Sequence, residues 1–188
     1  ADLILFNTCA IRDLANTKFY SQLGEIKHNK KKNEKLVVGV GGCVAQTEGK
    51  ALVKKYKHLD FAFGTDVIDS INDLVYRSYA GDNKFSVNAW DRSVDFSIQT
   101  KITHGSPQAF VNIIKGCNKY CSYCIVPKVR GRERSIPTQK LVTDVNHASS
   151  QGAKEVVLTG TQLGSYGFDL NDNSLSKMVK TLLDSCDI

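Results

Sequence analysis

Cys117, Cys121 and Cys124 fall within one eight-residue stretch, Cys117-Asn118-Lys119-Tyr120-Cys121-Ser122-Tyr123-Cys124. The spacing is C-x3-C-x2-C, with an aromatic residue directly before the last thiol. Zinc ribbons and fingers usually bring ligands in C-x2-C or C-x4-C pairs, completed by a second pair elsewhere. Three thiolates on one short loop, with no evident fourth partner, suit an iron–sulfur cluster that leaves one iron open to a small molecule. A zinc site with a borrowed ligand, or incidental thiols, is the competing reading. His28, His58, His104 and His147 are scattered, and none stands at ligand spacing from a cysteine.

The elements that must carry this loop are those of an ordinary globular protein. The chain has 188 residues, 41% of them hydrophobic and 23% charged, room for one large domain or two small ones. No run approaches the roughly 18 apolar residues of a membrane span, and no signal-peptide pattern opens the chain. The six cysteines cluster rather than follow a disulfide framework, which suits a reducing cytoplasm. A net charge of +6 favours an anionic partner.

The first half alternates strand and helix patterns. Leu3-Ile4-Leu5-Phe6 reads as a strand before Asn7-Thr8-Cys9, and Ala15, Phe19, Leu23 and Ile26 form one helical stripe. Leu36 to Val40 is a second strand, running into Gly41-Gly42-Cys43, and Thr47 is positioned to cap a helix reaching Tyr56. Asp60 to Phe63 is a third strand, followed by a helix bearing Ile68, Ile71 and Val75. This is a parallel α/β sheet built from βαβ units. Cys9 and Cys43 both follow strand ends, where such sheets bind ligands, so they should approach each other. Gly41 and Gly42 would let a bulky group come close. The bland alternative is two small buried thiols.

Short strands are expected around Phe85–Val87 and Phe96–Ile98, with a domain boundary near Ser106. Gln108 to Ile114 is then a strand feeding the cysteine loop. Thr138 caps a helix carrying Leu141, Val142 and Val145; Glu155 to Gly160 is a strand; a last helix carries Leu175, Met178, Val179 and Leu182. The β-α-β-α order reads as the first part of a (β/α) barrel. Cys186 continues the last apolar stripe as a core residue.

The loop and its surroundings resemble the radical S-adenosylmethionine (SAM) superfamily, and the whole chain resembles its methylthiotransferases. The matching segments are Asn7-Thr8-Cys9-Ala10-Ile11-Arg12, Gly42-Cys43-Val44-Ala45-Gln46, the cysteine loop, Val126-Pro127-Lys128-Val129-Arg130-Gly131-Arg132-Glu133-Arg134-Ser135, Leu158-Thr159-Gly160-Thr161-Gln162 and Ser165-Tyr166-Gly167. The resemblance implies a methylthiotransferase domain over residues 1–105 and a radical SAM domain over 106–188. It implies two 4Fe–4S clusters: Cys117, Cys121 and Cys124 would hold the one that binds SAM. Cys9 and Cys43 match the second and third ligands of an auxiliary cluster, whose first ligand lies upstream of the segment given; residues 1–188 thus look like an internal fragment. Tyr123 would flank the adenine, and Thr159 and Gly160 lie in a region similar to one that contacts SAM. In the family the cluster reduces SAM to a 5′-deoxyadenosyl radical, and S–CH3 replaces a C–H hydrogen. No catalytic side chain outside the cysteines is named.

By the same resemblance the partners are tRNA and an electron donor such as flavodoxin or ferredoxin, for a cytoplasmic monomer without membrane attachment. The run Arg130 to Ser135 is most similar to the tRNA enzymes of the MiaB type, which act on N6-isopentenyladenosine beside the anticodon. Leu158 to Gln162 leans toward relatives that modify N6-threonylcarbamoyladenosine; a ribosomal-protein aspartate is the third family substrate. Outside enzymes, an iron–sulfur carrier or zinc module competes. In an extended segment Arg130, Arg132 and Arg134 would share one face and meet phosphates or the SAM carboxylate, against a bland reading of a solvated face paired with Glu133. Lys27 to Lys35, centred on Lys30, Lys31 and Lys32, reads as a solubilising run that suits a helix C-terminus, with RNA contact as the alternative.

Overall fold

A computed structural model describes residues 1–90, 106–170 and 174–187. It forms two compact units, one holding the described residues up to 90 with Lys128–Arg130, the other holding the remaining described residues from 106 onward. The strand expected at Phe96–Ile98 lies outside the described residues, as does the stretch leading to the expected boundary near Ser106.

In the first unit Leu3–Thr8 (β1), Val37–Gly42 (β2), Phe61–Phe63 (β3) and Phe85–Val87 (β4) make one sheet in the order β1-β2-β3-β4, with every pairing parallel. Helices Asp13–Lys32 (α1), Cys43–Lys55 (α2) and Ile71–Tyr79 (α3) provide the crossovers. Period-2 alternation sorts β2 between two cores. Val38 and Val40 join Phe19, Leu23 and Ile26 of α1 and Leu52 and Val53 of α2, whereas Val37 joins Phe61, Phe63 and Leu74. Burying each large apolar side chain contributes about 1.5–3 kcal/mol.

Two sequence expectations are corrected here. Thr47 lies inside α2, not at its cap, and its hydroxyl donates back to the Val44 carbonyl at 3.2 Å. The helix starts four residues earlier because β2 runs directly into it. Lys30 is not part of a solvated run. Its ammonium turns in to the Leu36 carbonyl and the carboxylate of Asp60, which is 4% exposed and also accepts the Val38 N–H at 2.8 Å. A buried carboxylate requires such partners. Lys31 and Lys32 remain exposed.

In the second unit Gln108–Lys115 (β5), Arg134–Ser135 (β6) and Glu155–Gly160 (β7) form a sheet in the order β6-β5-β7. β5 and β7 are parallel, as the βαβ pattern predicts, while the two-residue β6 runs antiparallel and has no counterpart in the sequence reading. Helix Val126–Arg130 (α4), whose last three residues belong to the first unit, precedes β6, and helices Thr138–Ser150 (α5) and Leu175–Ser185 (α6) belong to the second unit. Ala109 packs with Ala148 and Ala153. Thr138 is the first helical residue rather than the cap of α5; its hydroxyl meets Tyr166 Oη at 3.3 Å. Ser174 does cap α6, accepting the Lys177 N–H at 3.3 Å.

Candidate metal centre

Residue Lys115 ends β5, and the chain turns at Gly116, whose φ is +82°. A Cβ there would stand 2.1 Å from the Arg132 carbonyl oxygen, so only glycine permits this approach. The Cys117 N–H donates to the Gly131 carbonyl at 3.1 Å. Asn118 and Glu133 clasp each other: the Asn118 backbone N–H and side-chain amide donate to the Glu133 carboxylate, and Asn118 Oδ1 accepts the Glu133 N–H at 3.3 Å. The stem of the cysteine loop is therefore laced to residues 131–133, and β6 continues the lacing by pairing with Ile114 and Lys115.

A further segment secures β6. The Ser135 N–H donates to the Asp169 carboxylate at 2.8 Å, the Gly167 N–H donates to Ser135 Oγ at 2.9 Å, and Tyr166 Oη donates to the Ile136 carbonyl at 2.6 Å. Tyr166 is 1% exposed, and burial pushes its phenol pKa up, against a lowering by the Thr138 hydrogen bond. Its motif Ser165-Tyr166-Gly167 thus has a structural use as an anchor.

All three loop cysteines are free thiols, half-buried at Cys117 and Cys124 and exposed at Cys121. The Cys124 N–H donates to the Cys121 carbonyl at 2.9 Å, which closes a β-turn and keeps those two residues within about 7 Å between Cα atoms. The Lys119 N–H points at Cys117 Sγ at 3.5 Å, the type of contact that tunes a metal-bound thiolate. Tyr120 takes a left-handed backbone, φ +47°. Among the described residues no three Cys, His, Asp or Glu side chains come together closely enough to hold an ion. The donor set nevertheless fits an iron–sulfur cluster in chemistry: three accessible thiols, none in a disulfide, on one turn.

Cys9 and Cys43 follow immediately after Thr8 and Gly42, which are register partners on adjacent parallel strands. The two cysteines are thus neighbours at one sheet end, although 34 residues separate them. Cys43 opens α2 and is 1% exposed; Cys9 is half-buried. The glycines beside Cys43 are required by the fold itself. A Cβ on Gly41 would stand 2.2 Å from the Phe63 ring, and one on Gly42, φ +95°, would stand 2.5 Å from the Thr8 carbonyl oxygen. Thr8 Oγ1 accepts the Val44 N–H at 3.2 Å and so supplies the cap that α2 lacks locally. Gln46, 8% exposed, pins the same helix start: Oε1 accepts the Thr65 N–H at 2.9 Å and its own carbonyl accepts the Asn88 amide at 3.2 Å.

The remaining expected residues are dispersed. The Tyr123 ring is 90% exposed and takes no part in a core. Thr159 is half-buried and donates to the Val111 carbonyl at 3.3 Å; Gly160 ends β7. Asn112 sits at the irregular register beside them; with its side-chain amide turned so that the nitrogen faces the Ile114 and Thr159 carbonyls, it donates to them at 3.2 and 3.1 Å. The arginines do not share one extended face. Arg130 ends α4, Gly131 turns at φ +74°, Arg132 is exposed in a bend and Arg134 lies in β6. Glu133, the acid expected to pair with them, holds Asn118 instead. Cys186 follows α6, half-buried, and burial pushes its thiol pKa up.

Asn118, Thr8, Gln46 and Asn112 were not singled out as site residues by the sequence. Thr8 and Gln46 lie inside the matching motifs and Asn118 inside the cysteine loop, but their partners are distant in sequence.

Residues 1–64 match the family described as Uncharacterized protein family UPF0004. The chain is similar to a tRNA-2-methylthio-N(6)-dimethylallyladenosine synthase of Bdellovibrio bacteriovorus, 41% identical over 184 residues, covering 96% of this chain and 40% of the relative. It is also similar to an enzyme of the same description from Staphylococcus aureus, 38% identical over 175 residues, covering 92% of this chain and 34% of the relative. The chain therefore spans two fifths or less of the length of these curated relatives.

Proposed function

We propose, from a chain that belongs to the methylthiotransferase family of these relatives, that it takes part in methylthiolation of a hypermodified tRNA adenosine, N6-isopentenyladenosine (dimethylallyladenosine). The observation that carries this reading is the laced C-x3-C-x2-C loop at the end of β5, in a chain with 41% identity to such a synthase. Residues 1–105 would form the methylthiotransferase domain and 106–188 part of the radical SAM barrel.

In this reading Cys117, Cys121 and Cys124 would hold the 4Fe–4S cluster that receives SAM, and Cys9 and Cys43 would contribute to an auxiliary 4Fe–4S cluster. When bound, the clusters and SAM supply electron transfer, hydrogen abstraction and sulfur delivery, chemistry that belongs to the cofactors. The chain's own groups position them. The Asn118–Glu133 clasp and the Cys117–Gly131 hydrogen bond hold the loop stem, so fewer conformations must be surrendered on cluster binding. The exposed Tyr123 ring is available to stack on a purine, and Thr159 and Gly160 would border the same ligand. Arg130, Arg132 and Arg134, pointing from a helix end, a bend and a strand, would contact separate anionic groups rather than one row of phosphates. An electron donor such as flavodoxin or ferredoxin completes the scheme. Among the described residues no helix is long and apolar enough to cross a membrane.

The test is anaerobic reconstitution with iron and sulfide, followed by electron paramagnetic resonance of the reduced protein with and without SAM. About four irons per chain, a spectrum altered by SAM and loss of both in Cys121→Ala support the reading. A content well above four that falls in Cys43→Ala supports the auxiliary cluster. Zinc in place of iron, or a spectrum blind to SAM, would overturn it.

A further inference from the structure

We infer that the seam between α2 and β4 is a binding site for the phosphodiester backbone of an RNA strand, an inference that rests on the tRNA reading above. One groove there is lined by Lys50, Val53, Lys54 and Lys57 on one wall and Lys84 and Ser86 on the other. Among the described residues the lining holds four lysines and no acid. Asp60 pairs with Lys30 and stands 3.9 Å from the Lys84 ammonium, Asp82 pairs with Arg77, and Glu48 accepts the Tyr20 hydroxyl.

The walls are fixed by the fold. A Cβ on Gly49 would stand 2.5 Å from Ser86 Oγ, so α2 lies directly against β4 at this point. Lys84, at φ +66°, turns its ammonium to the Lys57 and Leu59 carbonyls, and burial lowers its pKa although Asp60 opposes the shift. Lys84 therefore braces the groove, and Lys50, Lys54 and Lys57, all exposed, carry its usable charge. Lys50 and Lys54 are one turn apart on α2, about 6 Å along the axis at 1.5 Å per residue. Two ammonium groups on one helix, with that of Lys57 just past the helix end, suit successive phosphates better than one small anion.

Protein partners are anchored by aromatic and apolar side chains. Among the described lining residues Val53, 7% exposed, is the one apolar side chain, and none is aromatic to anchor a protein or stack a base. The groove's chemistry is thus that of sequence-independent backbone contact.

The test measures affinity of the full chain for an anticodon stem–loop RNA, an unrelated hairpin of equal length and polyglutamate across a salt series. The triple variant Lys50→Ala/Lys54→Ala/Lys57→Ala should weaken both RNAs about equally and lower the slope of log K against log salt by about 2. The control Lys31→Ala/Lys32→Ala should keep the wild-type slope. A folded triple variant with an unchanged slope, a wild-type chain that binds neither RNA, or polyglutamate bound as tightly as RNA would each overturn the groove. Failure of the proposed function reads differently: no SAM-responsive cluster forms, while the lysine-dependent salt slope persists.

Discussion

Thr8 Oγ1 accepts the Val44 N–H at 3.2 Å while donating to the Gly41 carbonyl at 2.6 Å, so one hydroxyl at the end of β1 terminates β2 and caps α2. The residues immediately after the Thr8–Gly42 register pair are Cys9 and Cys43. Strand pairing, helix start and the proximity of these cysteines therefore share one side chain.

Replacing that hydroxyl should cost more than an exposed cap. Thr8→Val leaves the Val44 N–H and the Gly41 carbonyl without their partner in a buried setting, and about 1–2 kcal/mol of stability should be lost. Thr8→Ser should recover most of it. Urea unfolding of the two variants checks the difference.

At the stem of the cysteine loop, Gly116→Ala adds a Cβ 2.1 Å from the Arg132 carbonyl at φ +82°. The strained backbone alone costs about 1–3 kcal/mol, and relief of the clash must push residues 131–133 away. Denaturant unfolding should show the loss. Hydrogen exchange should quicken at the Cys117 amide, which donates to Gly131.

The Asn118–Glu133 clasp lies at the surface, so Glu133→Ala should change global stability by less than about 1 kcal/mol. Its effect should be local: faster exchange of the Asn118 amide, with the core of β5 unaffected. Equal protection in both proteins would show that the clasp does not order the stem.

Asp60 is the opposite case. Asp60→Ala strands the half-buried Lys30 ammonium and frees the Val38 N–H, and breaking a buried pair costs about 3–5 kcal/mol. Expression at low temperature with thermal unfolding should reveal a large drop in midpoint.

Alkaline stability gives a third handle on the first unit. Burial, reinforced by the hydrogen bond to Glu48, pushes the Tyr20 phenol up to about 12 from 10.0. The folded state then holds the proton more tightly than the unfolded chain between those values. Stability is fully present below pH 10 and falls as pH rises toward 12. Tyr20→Phe should lose less stability than wild type between pH 10 and 12, measured by urea unfolding; parallel curves would show that Tyr20 does not drive the decline.

Much of the architecture is local enough to be read from residue order. Strand and helix periodicities place β1, β2, β3, β5 and β7 with their helices, because hydrophobic alternation reflects which side of an element meets a core. The cysteine spacing likewise names the candidate donors and their loop by itself, since thiol chemistry and loop length are written in adjacent residues. The tertiary structure decided what depends on partners far along the chain. Thr8 caps a helix through a contact spanning 36 residues, which displaces the start expected at Thr47. Lys30 leaves its basic run for a carboxylate 30 residues away. A positive φ at Gly131 breaks the arginine row, and Glu133 turns to Asn118. The lysine groove exists only because α2 lies against β4, bringing Lys84 beside Lys57. Such pairings follow from sheet order and packing, which one-dimensional periodicity does not encode.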